Sequence, residues 1–363
     1  MPHPYEDLPP DRYWRTGVAD VDVQDIAGLW KPRLHINSRT RIVTAGSCFA
    51  QHFSRALVAR GYRWMNLEPG PATLTPAQRH DYHYGTFSFR TGNIYTPRML
   101  RQWLTWALER VAPPEDVWET GGRFFDPFRP AVEPDGFASV EELRASREVT
   151  LEAIRQAVAT AHVFVFTMGL TEAWQNRHSG TEYAVCPGTI AGEFDPETHV
   201  FVNHRFAALL DDMTAVLRLL AKANRRLNVL LTVSPVPLTA TASGQHVLAA
   251  TSHSKSLLRA VASELMHGRP RVDYFPSYEI ITHPVYRGQF FAPNLRSVLP
   301  EGVDHVMRCF FRDIATQFNV PARPDVLQPE ASPASGSTET EAELTEAEEL
   351  RCEEEILAAF APR

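Results

Sequence analysis

Apolar positions along the chain switch between two spacings. Short runs with apolar residues adjacent or two apart repeatedly give way to stretches with apolar residues three and four apart. This is the pattern of strands alternating with helices around a largely parallel sheet. The first unit is the clearest: Ile42 and Val43 open a strand that ends at Gly46-Ser47, after which Phe49, Phe53, Leu57 and Val58 share one helical face. Ser47 therefore stands between a strand and a helix. A helix at about 147–161 leads into an apolar strand, Val163 to Phe166, that ends at Gly169. A helix at about 204–223 leads into Leu227 to Val233, which ends at Ser234-Pro235. Helices at about 246–266 and 301–318 flank a short strand at Val272 to Phe275.

This order reads as one main α/β domain over 41–321. Residues 68–145 form an insertion rich in Pro, Gly and aromatics, with one helix at about 96–110. Residues 1–40 are expected to pack on the core as an extension. Residues 322–342 are too polar and too rich in Pro, Ser and Glu to bury a core, and read as a flexible linker. Residues 343–363 return to helix-forming composition, with Leu344, Leu350, Ile356, Leu357 and Phe360 as apolar contacts for docking.

Composition narrows the function classes. The chain has 363 residues, of which 44% are apolar and 22% charged, the proportions of a globular protein with a sizeable core. No stretch of apolar residues is long enough to span a bilayer. The first residues carry neither a basic leader nor an apolar segment, and Cys48, Cys186, Cys309 and Cys352 follow no disulfide pattern, so a cytoplasmic location is expected. The net charge of −7 comes without a basic stripe, which argues against a nucleic-acid partner. No pair of His or Cys residues has zinc-ligand spacing, and neither a metal nor another cofactor is expected. The oligomeric state is not legible.

In an open parallel sheet, ligands bind outside the carboxyl ends of the strands. Ser47, Gly169 to Glu172, Ser234-Pro235 and Ser277 to Glu279 all fall at such ends. A serine at the first turn of a helix suits a nucleophile, because exposed N–H groups and the helix dipole stabilise an oxyanion there. It equally suits an N-cap, and on spacing alone capping is the stronger reading of Ser47. Cys48 is a rival nucleophile, although a cysteine beside an apolar face is more often buried and inert.

The string Gly46-Ser47-Cys48-Phe49-Ala50 resembles the motif that gives the GSCFA family its name. The segments Gly92 to Thr96, Met168 to Trp174, Val233 to Val236, Ser254 to Ser256 and Tyr274 to Ile280 are similar to later family segments and follow in the same order. Cys352 to Glu355 resembles a short element near the family's C-terminus. The resemblance implies a relative of SGNH and GDSL-type hydrolases. Their fold is a three-layer α/β/α sandwich on a mainly parallel, flavodoxin-like sheet. It also implies Ser47 as nucleophile, Gly92 (or less well Gly85) with Asn93 in the second block, and Gly169 in the third. Thr171 stands where an asparagine normally donates to the oxyanion, and a hydroxyl can donate one hydrogen bond there. Tyr278, Glu279 and Arg296 are the further substrate-binding candidates.

The last block departs from the pattern. Where the hydrolases carry Asp-x-x-His, this chain has Asn294 and Ser297. Without a base a serine is a poor nucleophile, since general-base help is worth roughly a hundred- to ten-thousand-fold. His305, His283 and Glu172 are substitute bases by position, each with a packing, surface or capping role as its alternative, and His52 reads as structural. Two functions follow. One is a serine esterase or O-acyltransferase acting on an acylated carbohydrate or polysaccharide, an analogy drawn from related folds. The other is a binding protein that keeps the fold and holds a glycan or nucleotide sugar.

Overall fold

The structure, a computed structural model, describes residues 3–320 and 353–361. The expected linker and residues 343–352 of the expected closing helix lie outside the described residues. β1 (Ile42–Gly46) leads through Ser47 into α1 (Ala50–Ala59), and the insertion then carries α2 (Pro76–Asp81), α3 (Pro97–Leu108) and a hairpin of β2 (Trp118–Thr120) and β3 (Arg123–Phe125). α4 (Val140–Thr160) returns to β4 (Val163–Met168), which is followed by β5 (Glu172–Asn176), β6 (Glu182–Tyr183) and β7 (His199–Asn203). The remaining order is α5 (Phe206–Ala223), β8 (Asn228–Val233), α6 (Val247–Met266), β9 (Val272–Tyr274), α7 (Ser277–Thr282) and α8 (Pro300–Phe318). Glu353–Phe360 forms a 3-10 stretch.

The main sheet is parallel, in the order β1-β4-β8-β9. A single parallel bridge from Ile42 to Trp64 extends it beyond β1. Successive side chains of a strand point to opposite faces, and here both faces are buried. Val43, Phe164, Phe166, Met168, Val229 and Leu231 enter one apolar cluster with side chains of α3, α4, α5 and α6. Ile42, Val163, Val165 and Leu230 enter a second cluster with α1, α7, α8 and the N-terminal Trp30, Leu34 and Ile36. A sheet buried between two helical layers is the three-layer α/β/α architecture. Each fully buried Phe of β4 contributes about 1.5–3 kcal/mol to it.

The N-terminal extension is fastened to the second layer. Trp30 stacks on Phe310 with ring centroids 5.1 Å apart, and the Trp30 backbone N–H donates to Asp313 Oδ2 at 3.1 Å. α4 begins at Val140, earlier than its apolar spacing indicates, because Ser139 Oγ accepts the Glu142 N–H at 3.1 Å and caps it. The segment from Glu172 to Asn203 forms a separate antiparallel sheet in the order β6-β5-β7. The sequence pattern did not indicate this sheet. Glu172 accordingly opens a strand and is not followed by a helix for it to cap.

The insertion is tied to α4 by a buried ionic cluster. Asp126 accepts from Arg129 Nε at 2.9 Å and from Arg147 Nη2 at 2.8 Å, while Arg129 also donates to Thr150 Oγ1 at 2.8 Å. Burial alone would push the Asp126 carboxyl up, but the charges and hydrogen bonds of Arg147 and Arg129 outweigh it and hold its pKa below 3.8. Removing one partner leaves the others buried and uncompensated, so Asp126→Ala is expected to cost about 3–5 kcal/mol in a urea melt. A pKa lowered in the folded state contributes stability above the unfolded value, and that contribution is lost as pH falls through the lower folded value. Acid unfolding of the parent below about pH 4 should therefore contain a component that Asp126→Asn lacks. Equal urea stability of parent and Asp126→Ala would show that the cluster does not hold the insertion.

Candidate functional site

The site is built where β1 and β4 end side by side. Gly46 has φ 137°, and a Cβ there would lie 2.4 Å from the Thr167 carbonyl oxygen. Only glycine lets the two backbones approach this closely. The next N–H, from Ser47, donates to that same Thr167 oxygen at 3.0 Å. The chain then turns into α1, whose N-cap is Phe49 and carries no side-chain cap bond. Ser47 is 2% exposed, and its Oγ is buried without a hydrogen-bond partner among the described residues. Ser47 is therefore not a helix cap, which corrects the reading that its spacing favours.

Two further segments close around Ser47. Gly92, with φ 68°, turns the insertion back across the sheet end, and Ile94 N–H donates to Gly46 O at 2.8 Å. Asn93, buried, lies between them. The Tyr95 carbonyl accepts from Gly169 N–H at 2.8 Å and Leu170 N–H at 3.1 Å. A Cβ on Gly169 would sit 3.0 Å from both Ser47 Cβ and Tyr95 Cδ1, so the absence of a side chain there shapes the space beside the serine. Three segments far apart in sequence thus meet at one point.

α6 holds the third segment in place. Ser254 Oγ accepts the Thr171 N–H at 3.0 Å, and Lys255 Nζ donates to the Gly169 carbonyl at 2.7 Å. Lys255 is fully buried. Residue-type reasoning passed over it, although a lysine flanked by Ala250, Ser254 and Leu258 on a buried stripe was a visible signal. The Thr171 hydroxyl donates to Asn203 Oδ1 at 2.8 Å. In this structure the Gly169 N–H and the Thr171 hydroxyl are thus engaged by the protein itself.

The other candidates lie in other settings. His305 is packed between Tyr286 and Phe290, with Arg308 Nη2 3.2 Å from Nδ1 and Cys309 Sγ 3.9 Å from Nε2. Burial, then Arg308 and Arg312, lower its pKa to about 4, so the ring is neutral at pH 7. His52 meets Phe49 edge to face at 5.3 Å, and burial with Arg55 lowers its pKa to about 3. His283 caps a 3-10 turn by accepting the Val285 N–H. Glu279 accepts from Arg259 Nε at 2.5 Å and Tyr274 Oη at 2.8 Å, and Tyr278 beside it packs on the first apolar cluster. Asn294 Nδ2 donates to Ser297 Oγ at 2.9 Å on an exposed turn, which also holds the half-buried Arg296.

A cavity of about 590 Å³ opens beside this point, between the sheet end and the antiparallel sheet β5–β7. Tyr95 and Leu170 form its wall next to Gly169, with Trp174, Tyr183, Phe201 and Leu238 beyond them and Ile356 to Ala358, Phe360 and Ala361 across it. Glu172 lines it and accepts from Thr241 Oγ1 at 2.8 Å, with a pKa raised by burial. Glu182 also lines it, fully buried. Its oxygens accept from the Thr96 hydroxyl and from Gln175, and lie 2.9 Å from His204 Nε2.

Among the described residues no three His, Cys, Asp or Glu side chains converge as metal ligands would, and no helix is long and apolar enough to cross a membrane. The model of the GSCFA family matches residues 41–310, which include every segment of the site except the C-terminal one. No curated protein and no solved structure matches the chain.

The close approach at Gly46 gives a direct test. Gly46→Ala places a methyl against backbone and is expected to cost more than about 3 kcal/mol by chemical denaturation. Gly180→Ala, at φ 69° with nothing within 4 Å, meets only the milder strain of the left-handed region, so its cost stays at about 1–2 kcal/mol. Equal costs at the two positions would show that neither the close approach nor the more extreme φ of Gly46 governs the turn.

Proposed function

The chain belongs to the GSCFA family, and on that premise we propose that it is a serine esterase or O-acyltransferase acting on an acylated carbohydrate or polysaccharide. Ser47 is the nucleophile in this reading. One observation carries it: a buried hydroxyl at the β1–α1 turn that caps no helix and makes no hydrogen bond among the described residues. A buried hydroxyl left unsatisfied costs about 1–3 kcal/mol, a cost without structural return. Attack of Ser47 Oγ on an acyl carbon would form an ester with the acyl group and release the alcohol. The proton of Ser47 would pass to a base and then to the leaving oxygen. The buried Asn93 and the turn at Gly92 supply the oxyanion side in this proposal, and Gly169, without a side chain, lets the exit of β4 pack directly against Ser47. The carbohydrate is an inference from related folds.

A second reading has its own observation. No described side chain hydrogen-bonds Ser47 Oγ, and Asn294 and Ser297, at the positions of the usual acid and base, bond to each other on an exposed turn. This favours a protein that binds a glycan or nucleotide sugar without cleaving it. Intact-mass spectrometry after exposure to a fluorophosphonate separates the two. The serine-enzyme reading predicts one adduct, absent in Ser47→Ala, with His305→Ala and Glu172→Gln then assayed for loss of the base. A folded protein that takes no adduct supports the binding reading. Ser47→Ala should also keep or raise the melting temperature, because it removes an unsatisfied buried group, whereas a loss of about 1 kcal/mol would restore a capping role.

A further inference from the structure

The two carboxylates on the cavity wall do not face a ligand unpaired. Glu182 is held by Thr96, Gln175 and His204. Glu172 is held by Thr241, with Ser243 and the Ala242 N–H as further donors. The Cys186 thiol, also on the wall, is pushed by burial up to about 11 and stays neutral at pH 7. What remains facing the space is largely hydrocarbon and ring: Leu170, Ala173, Trp174, Phe201 and Leu238, with Ile356 and Leu357 opposite. Of the buried side-chain polar groups lining the cavity, the Thr239 hydroxyl is the one without a partner among the described residues, so a sugar or an ammonium ligand would desolvate most of its polar groups against such a wall without compensation. An apolar chain would not.

The cavity is also placed for it. Tyr95 and Leu170, its nearest wall, are the residues bonded backbone to backbone beside Gly169, and Gly169 abuts Ser47. We propose that this cavity binds the apolar chain of the acyl group transferred through Ser47, with the C-terminal segment 356–361 as one wall. The proposal rests on the acyl-transfer reading and adds to it the class of acyl group: a chain of several methylenes and not an acetyl group. The volume lies in the range of small-molecule pockets. The wall draws on the insertion, the antiparallel sheet, the segment after β8 and the C-terminal segment, so the acyl selectivity belongs to elements added to the parallel core.

Binding is measured apart from catalysis by titrating full-length Ser47→Ala protein with 1-butanol, 1-hexanol and 1-octanol, followed by tryptophan fluorescence, to which Trp174 contributes. Each methylene placed in the cavity should tighten binding about fourfold. Ala173→Trp should abolish this increment by filling the space, and Val185→Trp, on a partly buried position of the same wall, serves if Ala173→Trp does not fold. Affinity that is independent of chain length, or that survives both folded variants, overturns the proposal. Chain-length-dependent binding without fluorophosphonate labelling of Ser47 would overturn the acyl-transfer reading and leave an apolar-ligand site. Labelling of Ser47 without chain-length dependence would overturn the cavity assignment alone.

Discussion

The close approach of two backbones at the ends of β1 and β4 is the constraint on which the rest of the site depends. Gly46 brings its Cα against Thr167, which sets the direction in which the chain leaves β1 and so where Ser47 points. Gly169 repeats the device at the exit of the neighbouring strand, where the Tyr95 carbonyl accepts from the consecutive N–H groups of Gly169 and Leu170. A side chain at either glycine would push the serine turn, the insertion or both out of register. Backbone and packing, not side-chain hydrogen bonds, hold Ser47.

Most of the parallel core was legible because its physics is local. β4 and β8 are short apolar runs buried on both faces, and α5, α6 and α8 carry apolar stripes that find those faces. The antiparallel sheet was not legible, since Glu172–Asn176 and His199–Asn203 are half-buried mixtures of polar and apolar residues whose pairing is non-local. The site was legible in part. Strand ends and family segments indicated Ser47, the Gly92 segment and Gly169, and the structure brings these together. Whether Ser47 caps a helix could not be read from residue type, because it turns on where the first helical dihedrals begin. Lys255 shows the same limit in reverse: a lysine is rarely buried unless paired, and only its position on α6 reveals that it is buried against Gly169.

The elements around the parallel core also divide the chemistry. The core supplies Ser47, the proposed nucleophile, and the insertion supplies Gly92 to Tyr95 across the strand ends. The antiparallel sheet and the C-terminal segment enclose an apolar volume beside them. In the proposed reaction the first two govern attack and the last two govern which acyl group is presented. A substrate binding through its acyl chain could also complete the geometry around Ser47, since binding energy from remote groups is used to orient the reacting centre.

The most direct measurement is rapid-quench intact-mass spectrometry on the parent protein mixed with excess p-nitrophenyl octanoate, with peptide mapping of any adduct. A burst of p-nitrophenol together with a gain of one octanoyl group located on Ser47 is the expected result, as an acyl-enzyme intermediate requires. Release of p-nitrophenol with no acyl adduct, or an adduct mapped to Cys48 or another residue, would contradict Ser47 as the nucleophile.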